Sequence, residues 1–206
     1  MYTHSKQIIT AGVPIEQAKK AIIMLHGRGA SAASILSLKD HLQLADYAIF
    51  APQATQHSWY PYSFMAPVSN NQPALDSALQ VIDELVNDIV QKGIARENIW
   101  FLGFSQGACL TLEYVTRNAH SYGGIIAFTG GLIGEKLINN NYKGDFNQAP
   151  VLVTTGDPDP HVPVSRVNES VGIIQSLNGN VTVKVYKGRM HTISNEELEL
   201  ANKLLR

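Results

Sequence analysis

The five residues Gly103–Phe104–Ser105–Gln106–Gly107 place a serine between two glycines. The apolar run 99–102 before them is typical of a buried strand, and residues 108–115 after them are typical of a helix. A G-x-S-x-G turn between strand and helix exposes the serine hydroxyl on a bend that glycine alone allows. The N–H of Gln106 would open the helix, where negative charge is favoured. It could therefore receive the oxyanion formed when Ser105 attacks a carbonyl.

A serine hydroxyl needs an adjacent base, and the base needs a carboxylate that holds its tautomer. In hydrolases built around such a turn, the chain order is serine, then acid, then histidine. The apolar strand 151–155 leads into the loop 156–163, which contains Asp157 and Asp159. These two residues are the candidate acids. Asp157 could instead bond the backbone of its own loop, as aspartates in turns often do.

The candidate base is His191, which follows the predicted strand 181–186. Of the seven histidines, it alone combines the expected chain order with a position just past a strand. His161 lies in the loop 156–163, called the acid loop below because it contains both candidate acids, and it is the weaker alternative base. Both loops follow the carboxyl ends of strands, the edge where open parallel sheets place their ligands.

A second oxyanion donor should come from a main-chain N–H in the loop after the third strand of such a fold. The strand 21–25 runs into the loop 26–30, where Gly27 and Gly29 allow close approach of the backbone. We expect Arg28 to be this donor through its main chain. His26 is interpreted as a hydrogen-bonded core residue more readily than as a proton carrier.

Strand-like and helix-like segments alternate along the chain. This pattern predicts an α/β fold with a mostly parallel central sheet covered by helices on both faces. Further strands are expected at 48–51 and 124–129, and helices at 31–44, 74–92, 165–177 and from Ser194. The interval 130–150 is too short for a cap domain, so we expect a shallow, open site in one domain spanning residues 1–206.

Composition narrows the function classes. The 206 residues are 45% hydrophobic and 16% charged, with a net charge of −1 and no basic stripe, so nucleic-acid binding has no electrostatic support. No apolar run approaches the ~18 residues of a membrane helix, and the N-terminal residues lack a signal-peptide core. The lone Cys109 suits a reducing compartment, so we expect a cytoplasmic protein. No cluster has metal-ligand spacing, and we predict neither a metal nor a cofactor.

The segment 53–73 is polar and turn-rich yet aromatic. Its large apolar side chains are Trp59, Tyr60, Tyr62, Phe64 and Met65. They could line a substrate pocket, or the loop could simply be tucked onto the core.

The chain resembles the phospholipase/carboxylesterase family of α/β-hydrolases, which includes acyl-protein thioesterases and small bacterial carboxylesterases. The resemblance spans nearly the whole chain. It rests on 25–30 (LHGRGA), 51–53 (APQ), 58–60 (SWY), 103–107 (GFSQG), 129–132 (TGGL), 156–163 (GDPDPHVP) and 190–191 (MH).

The resemblance implies a role for each matching residue. It makes Ser105, Asp159 and His191 the nucleophile, acid and base. It places the oxyanion hole on Arg28 and Gln106, and substrate contacts on Trp59 and Leu132.

Two departures from the family pattern are visible. Arg28 stands where the family usually has an apolar residue, which could change the acyl preference or recruit an anionic group. The segment 53–73 looks shortened, which favours short acyl chains over a long acyl groove.

We therefore predict a serine hydrolase of small-molecule carboxylic esters or thioesters that needs no cofactor. A lysophospholipase or an acyl-protein thioesterase would use the same groups. A non-enzymatic binding module on a hydrolase scaffold is the rival from another class, and a homodimer stays open. A cysteine nucleophile is disfavoured because serine holds the turn, and Cys109 is interpreted as a small core residue.

Overall fold

A seven-stranded sheet forms the centre of the molecule, with strand order β1-β3-β2-β4-β5-β6-β7. The computed structural model describes residues 2–206, so Met1 of the expected domain lies outside it. The strands are β1 (Ile8–Gly12), β2 (Lys20–Leu25), β3 (Tyr47–Pro52), β4 (Ile99–Phe104), β5 (Gly124–Phe128), β6 (Pro150–Asp157) and β7 (Asn180–Lys187). All neighbouring pairs are parallel except β1 and β3. The mostly parallel sheet predicted from the sequence is confirmed.

Six α-helices are described among residues 2–206. They are α1 (Ala32–Leu36), α2 (Val68–Asn71), α3 (Ala74–Gln91), α4 (Gln106–Arg117), α5 (Val164–Ser176) and α6 (Asn195–Leu205). None of them is long and apolar enough to cross a membrane.

Successive strand residues point to opposite faces, which explains the continuous apolar runs. Ile23 and Phe101 pack in one core with α3, α4 and α5. Their neighbours Ile22 and Leu102 pack in a second core with α1 and α6. Helices therefore cover both faces. The interval between β5 and β6 contains one short 3₁₀ turn, Asn139–Asn141, and no cap domain among the described residues.

Two local features differ from the sequence-based expectation. Strand β1 was not predicted, because it is a half-exposed edge strand with little apolar patterning. It makes β2 the second strand of this chain, so the loop 26–30 follows the second strand and not the third. The helix predicted at 31–44 ends at Leu36 and continues as a 3₁₀ segment to His41. There the hydroxyl of Ser37 bonds the carbonyl of Ser34, and such local bonds compete with regular helix.

Candidate active site

Ser105 sits on the turn between β4 and α4 with φ 55° and ψ −118°. This left-handed φ is unusual for a residue with a Cβ. A Cβ on Gly103 would collide with the backbone of Gly107, and one on Gly107 would collide with the carbonyl of Leu25. The N–H of Ser105 donates to the carbonyl of Phe128 at 2.9 Å, which ties the bend to β5. The two glycines are therefore required by the close approach of three backbone segments.

The Ser105 hydroxyl begins a chain of two hydrogen bonds. Its Oγ lies 2.8 Å from Nε2 of His191, and Nδ1 of His191 lies 2.8 Å from Oδ2 of Asp159. With the imidazole neutral and the carboxylate ionised, Nδ1–H donates to Asp159 and Nε2 accepts the serine proton. This arrangement suits proton transfer from Ser105 to His191.

The carboxylate of Asp159 is fully buried, and each of its oxygens has a partner. Oδ1 accepts main-chain N–H groups of His161 at 2.9 Å and Val162 at 3.0 Å, while Oδ2 faces His191. Desolvation by itself would raise the pKa of Asp159. The hydrogen bond from His191 and the two N–H groups outweigh it and hold that pKa below its ordinary value.

The two alternatives from the acid loop lie elsewhere. Asp157 ends β6 with an exposed side chain, while its carbonyl accepts the N–H of Gly188. The exposed ring of His161 stands edge-on to His191, with ring centres 4.9 Å apart. The structure thus brings Asp159 and not Asp157 to His191, and it leaves His161 beside the imidazole without a bond to Ser105.

Two main-chain N–H groups are available next to Ser105. Within residues 2–206, neither the N–H of Gln106 nor that of Arg28 donates to another protein group. The loop after β2 packs against the Ser105 turn, because a Cβ on Gly27 would be in ordinary van der Waals contact with the Cβ of Ser105, at 3.5 Å. Free donors beside a nucleophile are the geometry of an oxyanion hole.

His26 is a fully buried structural residue. Its Nδ1 lies 2.8 Å from the carbonyl of Gly27, and Nε2 accepts the N–H of Ala54 at 3.1 Å. Since Nε2 accepts, Nδ1 carries the proton and donates. Desolvation lowers the pKa of His26, so the ring stays neutral and holds the turn in place.

The side chain of Gln106 clamps the start of the aromatic segment. Its Oε1 accepts the N–H of Trp59 at 2.9 Å, and its Nε2 donates to the carbonyl of Tyr60 at 2.8 Å. The residue after the nucleophile thus contacts both the reaction centre and the loop that shapes the neighbouring cavity.

A cavity of about 510 Å³ opens above Ser105. Its lining comprises Gly27, Arg28, Ala30, Tyr60, Pro61, Tyr62, Ser63, Phe64, Phe104, Ser105, Gln106, Cys109, Pro160, His161, Val162 and His191. Residues 60–64 form one part of the cavity wall, and residues 160–162 with His191 form another part. No group of three or more metal-ligating side chains lies together within residues 2–206.

Trp59 and Leu132 do not lie at this surface, which corrects their expected role as pocket residues. Trp59 is fully buried, and its Nε1–H donates to the carbonyl of His26 at 2.8 Å. Leu132 is also fully buried, with its N–H bonded to Ser170. The irregular backbone turns the neighbours Tyr60 and Phe64 toward the cavity, and both line it.

Comparison with known proteins identifies the family of this chain. The model of the Phospholipase/Carboxylesterase family matches residues 7–206. The chain belongs to the phospholipase/carboxylesterase family. It is therefore a hydrolase of the α/β-hydrolase fold that acts on esters or thioesters, and the family resemblance of the sequence is confirmed.

Individual relatives in this family are similar along much of the chain. Acyl-protein thioesterase 1 of Saccharomyces cerevisiae is 29% identical over 206 residues, covering 90% of this chain and 91% of the relative. A probable carboxylesterase SOBER1-like of Arabidopsis thaliana is 31% identical over 150 residues, covering 71% of this chain and 57% of the relative.

A solved phospholipase/carboxylesterase from Dyadobacter fermentans DSM 18053 is similar over the full length. It is 65% identical, with a TM-score of 0.99 and coverage of 100% of this chain and 99% of that chain. This chain therefore has nearly the same fold as that solved protein.

A buried ionic cluster, which the sequence did not predict, lies under the loop that carries His191. Arg189 is 8% exposed, and its guanidinium donates to the carbonyls of Met190 and Thr192 and to the hydroxyl of Thr129. Its Nε lies 3.6 Å from Oε2 of Glu197, which is fully buried. Part of this cluster had a signal, since Ser194 and Glu197 form a capping box of the S-x-x-E type at the start of α6.

Proposed function

We propose that the protein is a serine esterase that uses Ser105, His191 and Asp159 as nucleophile, base and acid. The observation that carries the proposal is the unbroken chain of hydrogen bonds from Oγ of Ser105 through His191 to buried Asp159. The position of Ser105 at the start of α4, beside free N–H groups, supports the same reaction.

This geometry supports each step of an acyl-enzyme reaction. As Ser105 attacks the acyl carbon, Nε2 of His191 takes the hydroxyl proton, and Asp159 stabilises the imidazolium. The N–H groups of Arg28 and Gln106 bind the oxyanion. His191 then protonates the departing alcohol or thiol. Water, activated by His191, attacks the acyl-enzyme and releases the acid.

We infer a preference for acyl groups of about two to six carbons. Its volume of about 510 Å³ must hold both the acyl part and the leaving group. Aromatic side chains close the wall at 60–64, and no cap lengthens it among the described residues.

A fluorophosphonate probe tests the nucleophile. The wild-type protein should be labelled on Ser105, and Ser105→Ala should be neither labelled nor active. Loss of the serine in such a triad costs about 10⁶-fold in kcat. A folded Ser105→Ala protein that keeps more than about a tenth of wild-type turnover contradicts the proposal.

A series of p-nitrophenyl esters tests the acyl preference. Each methylene that finds apolar cover contributes up to about 0.8 kcal/mol, so kcat/KM should rise and then level off or fall beyond about six carbons. Phe64→Ala should move the maximum to longer chains, and Phe64→Leu should move it less. A rate that keeps rising to sixteen carbons would favour a lysophospholipase or an acyl-protein thioesterase.

A further inference from the structure

Among the described residues, the side chain of Arg28 carries the one fixed charge in the cavity lining. No aspartate or glutamate lines the cavity among the described residues. Tyr60 and Cys109 stay uncharged at neutral pH, because burial raises both pKa values, that of Cys109 to about 12. The cavity is therefore suited to an anion.

The guanidinium is only partly satisfied by the protein. Nη1 donates to the hydroxyl of Ser58 at 3.1 Å and to the carbonyl of Pro61 at 2.8 Å, and Nη2 donates to the carbonyl of Tyr62 at 2.6 Å. A guanidinium has five N–H donors. The Nε–H and one N–H of Nη2 thus remain without a partner within residues 2–206. These bonds fix the exposed group beside the Tyr60 ring, 5.9 Å from its centre.

The location of this charge identifies the part of the substrate it would meet. His191 must reach the leaving atom, so the leaving group lies on the His191 wall. The acyl group would then lie against residues 60–64, where the carbonyls of Pro61 and Tyr62 hold the Arg28 guanidinium. With the main-chain N–H of Arg28 as an oxyanion donor, the guanidinium would lie one arginine side chain away from the reacting carbonyl.

Resting on the proposed esterase function, we propose that Arg28 recognises a carboxylate on the acyl group. The substrates are half-esters or half-thioesters of short dicarboxylic acids. Hydrolysis breaks the acyl bond to the leaving oxygen or sulfur. Water supplies the hydroxyl of the new acid and the proton of the alcohol or thiol, and the new acid then ionises. The product is a dicarboxylate.

A matched pair of probes tests this inference. The p-nitrophenyl half-ester of adipic acid ends in a carboxylate, and the p-nitrophenyl ester of adipamic acid ends in a neutral amide of the same shape. Hydrogen bonds between charged partners are the stronger ones, so wild-type kcat/KM should favour the carboxylate by about tenfold. The preference should shrink as salt is added.

Arg28→Met keeps the main-chain N–H and the length of the stem but removes the charge. The preference should fall to about one in this variant, persist in part in Arg28→Lys, and stay unchanged in the control Arg206→Met, which lies outside the cavity lining. Comparing the two probes within each variant cancels any general loss caused by loosening of the loop at 58–62.

The results separate this inference from the proposed function. Equal rates for the two probes in wild-type protein, or a preference that survives in Arg28→Met or in high salt, overturn the dicarboxylate proposal. Turnover of the amide probe that disappears in Ser105→Ala still upholds the esterase. Failure to hydrolyse either probe, together with absence of fluorophosphonate labelling, counts against the esterase itself.

Discussion

Arg189 and Glu197 form a buried ion pair directly beneath the loop that carries His191, with Nε 3.6 Å from Oε2. The same guanidinium donates to the carbonyls on both sides of His191, at Met190 and Thr192. The position of the imidazole is thus linked through Arg189 to the start of α6 and, through Thr129, to the end of β5.

Replacing Arg189 with methionine should lower kcat by about 10²-fold with little change in KM, because small misplacement of a catalytic group has a cost of that order. The variant should also unfold more easily, since Glu197 is left as a buried charge. Steady-state kinetics and thermal melts measure the two effects. Arg189→Lys keeps the charge and should recover the melting temperature more fully than kcat. Unchanged kcat in a folded Arg189→Met protein would contradict this positioning role.

The folded protein should be less stable with serine at position 105 than with glycine there. Its left-handed φ costs about 1–3 kcal/mol, and glycine adopts this conformation freely. Ser105→Gly should therefore melt a few degrees higher than Ser105→Ala, which keeps the Cβ, at about 2–4 °C for each kcal/mol. Both variants are expected to be inactive, so differential scanning calorimetry makes the comparison. Equal melting temperatures would show that the bend is not strained.

The acid loop gives a paired comparison of carboxylates. Asp159→Asn should lose about 10⁴-fold in kcat, because the amide cannot stabilise the imidazolium. Asp157→Asn should change kcat by less than about threefold, since its exposed side chain does not contact His191. Kinetics with one short ester decide between them. The opposite order would assign the acid role to Asp157.

Cys109 should be unreactive in the folded protein although it lines the cavity. It is 2% exposed, and desolvation raises the pKa of its thiol to about 12. Little thiolate is therefore present below about pH 10, and alkylation needs the thiolate. Iodoacetamide labelling followed by mass spectrometry should be slow at pH 8 and fast in denaturant. Rapid native labelling that is blocked by a short ester would show an accessible thiol instead.

Local sequence signals were enough to predict the sheet, its helical cover and the turn at Ser105. Each of these depends on apolar periodicity or on glycine spacing. Strand β1 was missed because an edge strand exposes much of its surface and needs little apolar patterning. Long-range contacts were harder still, since nothing near Arg189 in the sequence indicates its bonds to Thr129 and Glu197.

The assignment of Trp59 to the pocket failed for a related reason. Orientation in an irregular loop has no period, so the sequence does not distinguish Trp59 from its neighbours Tyr60 and Phe64. The outcome depends on partners distant in the chain. The indole donates to His26, and the adjoining backbone is clamped by Gln106.

The clamp by Gln106 links substrate size to rate. Its side chain bonds the main chain at Trp59 and Tyr60, while its own N–H is a proposed oxyanion donor. An acyl group too large for the cavity would push the aromatic segment outward and pull on the residue that should hold the oxyanion. Oversized substrates would then bind but react slowly, so that chain-length selection would fall on the chemical step more than on binding.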